Sequence, residues 1–143
     1  MAETVAIAAD HGGYDLKRVL VPEIGALGFE VLDLGTNSAE SVDYPDFAGA
    51  LVRALTEGRA SRGVLICGTG IGMTIAANRN RAVRAALCHD ATTARLARQH
   101  NDANVLALGG RILGAEVAKE CLKVFLTTAF DGGRHARRVA KLS

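Results

Sequence analysis

Gly63-Val64-Leu65-Ile66-Cys67-Gly68-Thr69-Gly70-Ile71-Gly72-Met73-Thr74-Ile75-Ala76-Ala77-Asn78-Arg79 is the stretch that decides the fold. Val64-Leu65-Ile66 is a short apolar run of β-forming residues, suited to a strand buried on both faces. Three glycines follow at alternate positions, Gly68, Gly70 and Gly72. An apolar, helix-tolerant run then continues through Ala76-Ala77. The reading is strand, tight turn, helix. Such a turn gathers several backbone N–H groups into one concavity at the positive end of a helix, which suits an anion. Cys67 stands at the lip of that concavity.

The pattern extends in both directions. Residues 5–9 read as a buried strand that ends at Asp10-His11-Gly12-Gly13. Leu16, Val19, Leu20, Ile24 and Leu27 give residues 14–27 helical periodicity, with a kink or break expected near Leu20 because Pro22 lies inside. A second strand covers 30–34, and a polar loop covers 37–43. Pro45 suits a first helical turn capped by Asp43, in a helix reaching about residue 57. Beyond the central stretch come a strand at 83–87, a helix at 92–99, a polar cluster at 100–104 and a strand at 105–108. An amphipathic helix covers 116–127 with Val117, Cys121, Val124 and Phe125 on its apolar face. Gly132-Gly133 then precedes a basic helix at 134–142. Strands alternating with helices over short links predict an α/β fold. Its form is a three-layer α/β/α sandwich around a parallel sheet, with right-handed crossovers. The strand ends at Asp10, Cys67, Cys88 to Asp90 and Arg111 then share one edge, where open α/β sheets bind ligands.

A length of 143 residues fits a single domain, 1–143, and 49% apolar residues allow a full core. The net charge of +2 is too small to argue for nucleic acid, and the absence of tryptophan leaves no stacking platform for bases. No apolar run approaches membrane-spanning length, and no signal peptide is read at the N-terminus. Cys67, Cys88 and Cys121 show no paired spacing, which predicts reduced thiols and a cytoplasmic protein.

Two readings of Cys67 stand side by side: a small core residue at the end of a buried strand, or a base or nucleophile. A thiol at a helix N-terminus ionises more readily than a free one and can then act as base or nucleophile. Gly68 to Gly72 spell G-x-G-x-G, not the G-x-G-x-x-G of dinucleotide folds, and lack the G-K-[ST] of a phosphate loop. Cys88 and Cys121 read as structural, and the lack of a resolving cysteine near Cys67 counts against thiol redox work. Arg134 and Arg138 are four apart and share a helical face, either a solvated basic surface or a phosphate clamp. His135 lies between them and is expected to point elsewhere. His11 and His100 sit at element boundaries in polar clusters, as site residues do.

These residues together resemble the type B ribose-5-phosphate isomerases, whose relatives act on allose 6-phosphate and galactose 6-phosphate. The resemblance is carried by Asp10-His11-Gly12-Gly13-Tyr14, Asp43-Tyr44-Pro45-Asp46, Cys67 to Gly72 with Ala76-Ala77-Asn78-Arg79, residues 98–105, and Gly132-Gly133-Arg134-His135. It implies a Rossmann-like five-stranded sheet of order 2-1-3-5-4. The activity implied is a metal-free interconversion of ribose 5-phosphate and ribulose 5-phosphate, with no cofactor. Cys67 is then similar to the base that moves a proton between C2 and C1, and Thr69 to its helper hydroxyl. His100 resembles the residue that opens the furanose ring, with Asp10 close by. The amides of Gly68, Thr69, Gly70, Ile71 and Gly72 would hold the enediolate oxygens. Asn101 resembles a sugar-hydroxyl ligand; His11, Arg134 and Arg138 match phosphate binders, and Arg111 another binding position. The family's site forms between subunits, so the resemblance also implies a homodimer or a dimer of dimers, with the C-terminal helix reaching a partner. Some members use a glutamate as base where Met73 stands; methionine takes no proton, so this chain resembles the cysteine subtype.

Overall fold

A computed structural model describes residues 2–143. Its five strands are β1 (Thr4–Ala9), β2 (Glu30–Asp33), β3 (Arg62–Cys67), β4 (Ala85–Leu87) and β5 (Val105–Gly109). Its helices are α1 (Tyr14–Ala26), α2 (Tyr44–Thr56), α3 (Ile71–Ala77), α4 (Ala91–Asn101), α5 (Ala115–Thr127) and α6 (Arg134–Ala140). The strands form one parallel sheet in the order β2-β1-β3-β5-β4, as the resemblance implies.

Alternation along the strands sorts the core into two layers, because successive side chains leave opposite faces of a sheet. Val5 and Ile7 of β1, Val64 and Ile66 of β3, and Leu106 and Leu108 of β5 pack with Leu20, Ile24, Leu122 and Phe125 of α1 and α5. Ala6 and Ala8 of β1 and Leu65 and Cys67 of β3 pack with Ala48, Leu51 and Ala54 of α2 and with Met73 and Ala77 of α3. The chain therefore leaves β1 toward one layer and β3 toward the other. Adjacent parallel strands whose following segments part in this way open a crevice at their C-terminal ends. Asp10 and Gly68 lie there.

Five local expectations change. α1 runs unbroken through Pro22. The proline is on the exposed side while Leu20 and Ile24 are buried, so the carbonyl it leaves without a donor meets water and tertiary packing holds the helix. Asp43 is the N-cap residue of α2, but its side chain makes no cap hydrogen bond. α4 extends past residue 99 to Asn101, because Asp102 adopts the left-handed conformation that ends it and its carboxylate accepts from Arg98 Nη1 at 2.9 Å. The fourth strand begins at Ala85, not at 83, and Val117, expected on the apolar face of α5, is 38% exposed.

Phe125 is fully buried in the thicker layer. Phe125→Ala is expected to lower unfolding free energy by about 3–5 kcal/mol, read from urea midpoints at unchanged slope.

Candidate active site

Three turns meet at the C-terminal edge of the sheet, and backbone packs on backbone where they touch. Asp10 N–H donates to the Ile66 carbonyl at 3.2 Å, and Gly110 N–H donates to the Cys67 carbonyl at 2.8 Å. A Cβ on Gly13 would stand 2.4 Å from the Ile66 carbonyl oxygen, and one on Gly110 would stand 2.5 Å from that of Gly12. Only glycine permits either approach. The result brings Asp10, Cys67 and Arg111 into one neighbourhood from three strands.

Cys67 is 5% exposed and belongs to the apolar layer beneath α2 and α3. Its sulfur nevertheless faces the turn: Gly70 N–H donates to Sγ at 3.1 Å. One position thus combines burial in the core with a sulfur that lies against the turn. Thr69 Oγ1 accepts from Ile71 N–H at 3.2 Å, which fixes the hydroxyl on the exposed rim. Two of the five turn amides, those of Gly70 and Ile71, are therefore already engaged. Among the described residues, the amides of Gly68, Thr69 and Gly72 have no protein acceptor, so the concavity offers fewer free donors than the sequence suggests.

Asp10 is 6% exposed. Its Oδ1 accepts from Gly12 N–H at 2.9 Å and Gly13 N–H at 3.1 Å, which pins the carboxylate and leaves Oδ2 for another partner. His11 Nδ1 accepts from Val42 N–H at 3.2 Å, so the neutral ring carries its proton on Nε2. That bond ties the 37–43 loop to the site. The Arg111 guanidinium lies along Gly68, where an added Cβ would stand 3.3 Å from Nη1.

The remaining candidates lie elsewhere. α4 leaves the C-terminal edge after β4 and returns antiparallel to the strands, so His100 and Asn101 in its last turn reach the opposite edge. Gly63 N–H, at the start of β3, donates to Asn104 just beyond that turn. The six residues of β3, at about 3.3 Å each, put roughly 20 Å between the two edges. His100 does not meet Asp10 within one chain. It lines instead a cleft of about 300 Å³ with Asn101, His135, Arg138, Val139 and Leu142. Arg98 holds this corner together: Nε donates to the Thr128 carbonyl at 3.1 Å, and Asp131 N–H donates to the Gln99 carbonyl at 3.1 Å. α6 is thereby laid against the end of α4. His135, expected to point elsewhere, stacks on His100 with ring centroids 4.4 Å apart and planes within 10°. Desolvation and the neighbouring His100 and Arg134 push its imidazole below the usual histidine range. The nearness of residues 100 and 135 is tertiary, and no sequence spacing announces it.

A family model described as Ribose/Galactose Isomerase matches residues 5–142. The chain belongs to this family. The isomerase has the fold of ribose 5-phosphate isomerase B from Thermotoga maritima, with a TM-score of 0.96 and 51% identity over 99% of this chain and 98% of that one. Ribose-5-phosphate isomerase B of Escherichia coli is 43% identical over 139 residues, 97% of this chain and 93% of that protein. D-erythrulose-4-phosphate isomerase of Pectobacterium atrosepticum is 42% identical over 140 residues, 97% of this chain and 92% of that protein. Among the described residues, no helix of the isomerase is long and apolar enough to cross a membrane.

All three cysteines are free. Burial pushes the Cys88 and Cys121 thiols up to about 11. Because the thiolate is the reactive form, alkylation by iodoacetamide at pH 7.5 is expected at Cys67 first, mapped by mass spectrometry of tryptic peptides. Faster labelling of either other cysteine would contradict this ordering.

Proposed function

We propose that the isomerase interconverts ribose 5-phosphate and ribulose 5-phosphate without a metal, through a cis-enediolate, with residues 1–143 acting as one domain in the cytoplasm. The observation that carries the reading is the Cys67 sulfur, held by the Gly70 amide at the lip of a turn whose Gly68, Thr69 and Gly72 amides are open. The pinned carboxylate of Asp10 and the guanidinium of Arg111 lie beside it.

Sugar phosphates exist mainly as closed rings. His100 takes the proton of the C1 hydroxyl as the bond from C1 to the ring oxygen breaks, and passes that proton to the ring oxygen. Histidine titrates in the range this exchange needs. The Cys67 thiolate then removes the C2 proton, and the electron pair moves through C1=C2 onto O1. The open amides of Gly68, Thr69 and Gly72 face that charge; one such donor is worth about 3 kcal/mol in other enzymes. The Thr69 hydroxyl relays the proton between O2 and O1, and the thiol returns its proton to C1. His11, Arg134 and Arg138 hold the phosphate, and Asn101 a sugar hydroxyl. Their binding energy keeps the carbons in line.

Two edges some twenty ångströms apart cannot serve one sugar, so each site takes Cys67 from one copy and His100, Asn101, Arg134 and Arg138 from another. A homodimer, or a dimer of dimers, follows. Ile71 and Ile75 of α3 and Tyr44 of α2 support it: each exposes apolar surface beside the turn, at 51%, 56% and 40%. Such a patch is where a second subunit would pack.

The first test is turnover of ribose 5-phosphate in chelator-treated buffer. Cys67→Ala should fold and keep phosphate binding while kcat falls by roughly 10²–10⁴-fold; near-normal turnover would require a different base. A second measurement addresses sharing of the site. Cys67→Ala and His100→Ala, each inactive alone, are expected to recover about a quarter of wild-type activity after mixed refolding, since half the pairs are mixed and each has one intact site. No recovery would place both residues in the same copy's site.

A further inference from the structure

His100, Asp131 and His135 each offer a ligand-type atom, and these atoms lie within 4.8 Å of one another. They come from the last turn of α4, the segment before α6, and the first turn of α6. The backbone beneath them is fixed. Asp131 N–H is bonded to Gln99, His135 N–H donates to the Gly132 carbonyl at 3.0 Å, and Arg98 holds Thr128. The side chains themselves are uncommitted: none of the three makes a hydrogen bond to the rest of the described chain. Both imidazoles are half-buried and the carboxylate is exposed.

We propose that this trio is a binding site for a divalent transition-metal ion of the zinc class, and that filling it shuts off catalysis. Two imidazole nitrogens and one carboxylate oxygen, with water as fourth ligand, form a donor set that suits Zn²⁺, Co²⁺ or Ni²⁺. With bonds of about 2.0–2.1 Å, a tetrahedral ion needs its ligand atoms roughly 3.3 Å apart. Closing from the present separations takes a turn of each ring out of the parallel stack and a swing of the Asp131 carboxylate. Arg134 and Arg138 flank the corner and oppose any cation. Mg²⁺ and Ca²⁺, which prefer oxygen ligands, have a single carboxylate to set against that repulsion. The site therefore selects for ions that bind imidazole well. An ion on His100 occupies the lone pair that would take the hydroxyl proton, so the inhibitory half of the proposal rests on assigning ring opening to His100.

Binding and inhibition are measured separately on the full chain, freed of metal by chelator. Calorimetric titration with Zn²⁺ is expected to give one ion per chain, and Co²⁺ the intense visible absorption of a four-coordinate site. Mg²⁺ gives neither. His135→Gln and Asp131→Asn are each expected to weaken Zn²⁺ binding at least tenfold, with an unchanged urea midpoint as the check on folding. Zn²⁺ should abolish turnover of ribose 5-phosphate, and chelator should restore it. No uptake overturns the site. So does uptake that survives His135→Gln but vanishes in Cys67→Ala, because it assigns the ion to the thiol. One ion bound at the trio without loss of turnover upholds the site and removes ring opening from His100.

Discussion

The contact between the turns that follow β1, β3 and β5 is the constraint on which the site depends. Three chain reversals touch through their main chains, with glycines at the points of closest approach. Side chains of any size would wedge them apart. Packed this tightly, they put an acid, a thiol and a guanidinium from distant parts of the sequence within one small volume. The acid and the thiol are then oriented locally, Asp10 by two amides and the sulfur by one, and one more amide fixes the Thr69 hydroxyl beside them. The sheet below supplies rigidity, and the glycines supply proximity.

Most of this edge was legible in the sequence, for a physical reason. In a parallel sheet with helical crossovers, every strand delivers its C-terminal end to the same side, so Asp10, Cys67 and Arg111 could be grouped from strand order alone. The glycine spacing located the turn after β3 that carries the open amides. What the sequence did not reveal is which amides the turn keeps for itself. That depends on the rotamers of Cys67 and Thr69, which periodicity does not encode. Pro22 misled because helix-breaking is a local preference, whereas Leu20 and Ile24 anchor that helix through the core.

The opposite edge was harder to read. His100 and Arg138 were recognisable as chemical residues, but their company was not. The stack of His100 on His135 arises because Arg98 and the Asp131 amide fold the last helix back onto α4, a matter of one side chain-to-backbone bond and one backbone-to-backbone bond, each across some thirty residues. One left-handed residue, Asp102, decides that residues 100 and 101 finish a helix and do not open a loop. Polar clusters at element ends advertise importance without saying which neighbour they will meet.

The two helical layers are unequal in depth. Valine, isoleucine and leucine from the strands face α1 and α5, while β1 shows only Ala6 and Ala8 to α2 and α3, and Gly63 receives Leu51 with no room for a Cβ. The thin side is also the side that carries the thiol and its turn. Tolerance of substitution is therefore expected to be lopsided. Volume can be traded among many large side chains on the deep side, but a single added methyl group on the shallow side would press on α2 or α3 and displace the Cys67 sulfur. Sequence change across this lineage should accumulate on one face of the sheet and stall on the other.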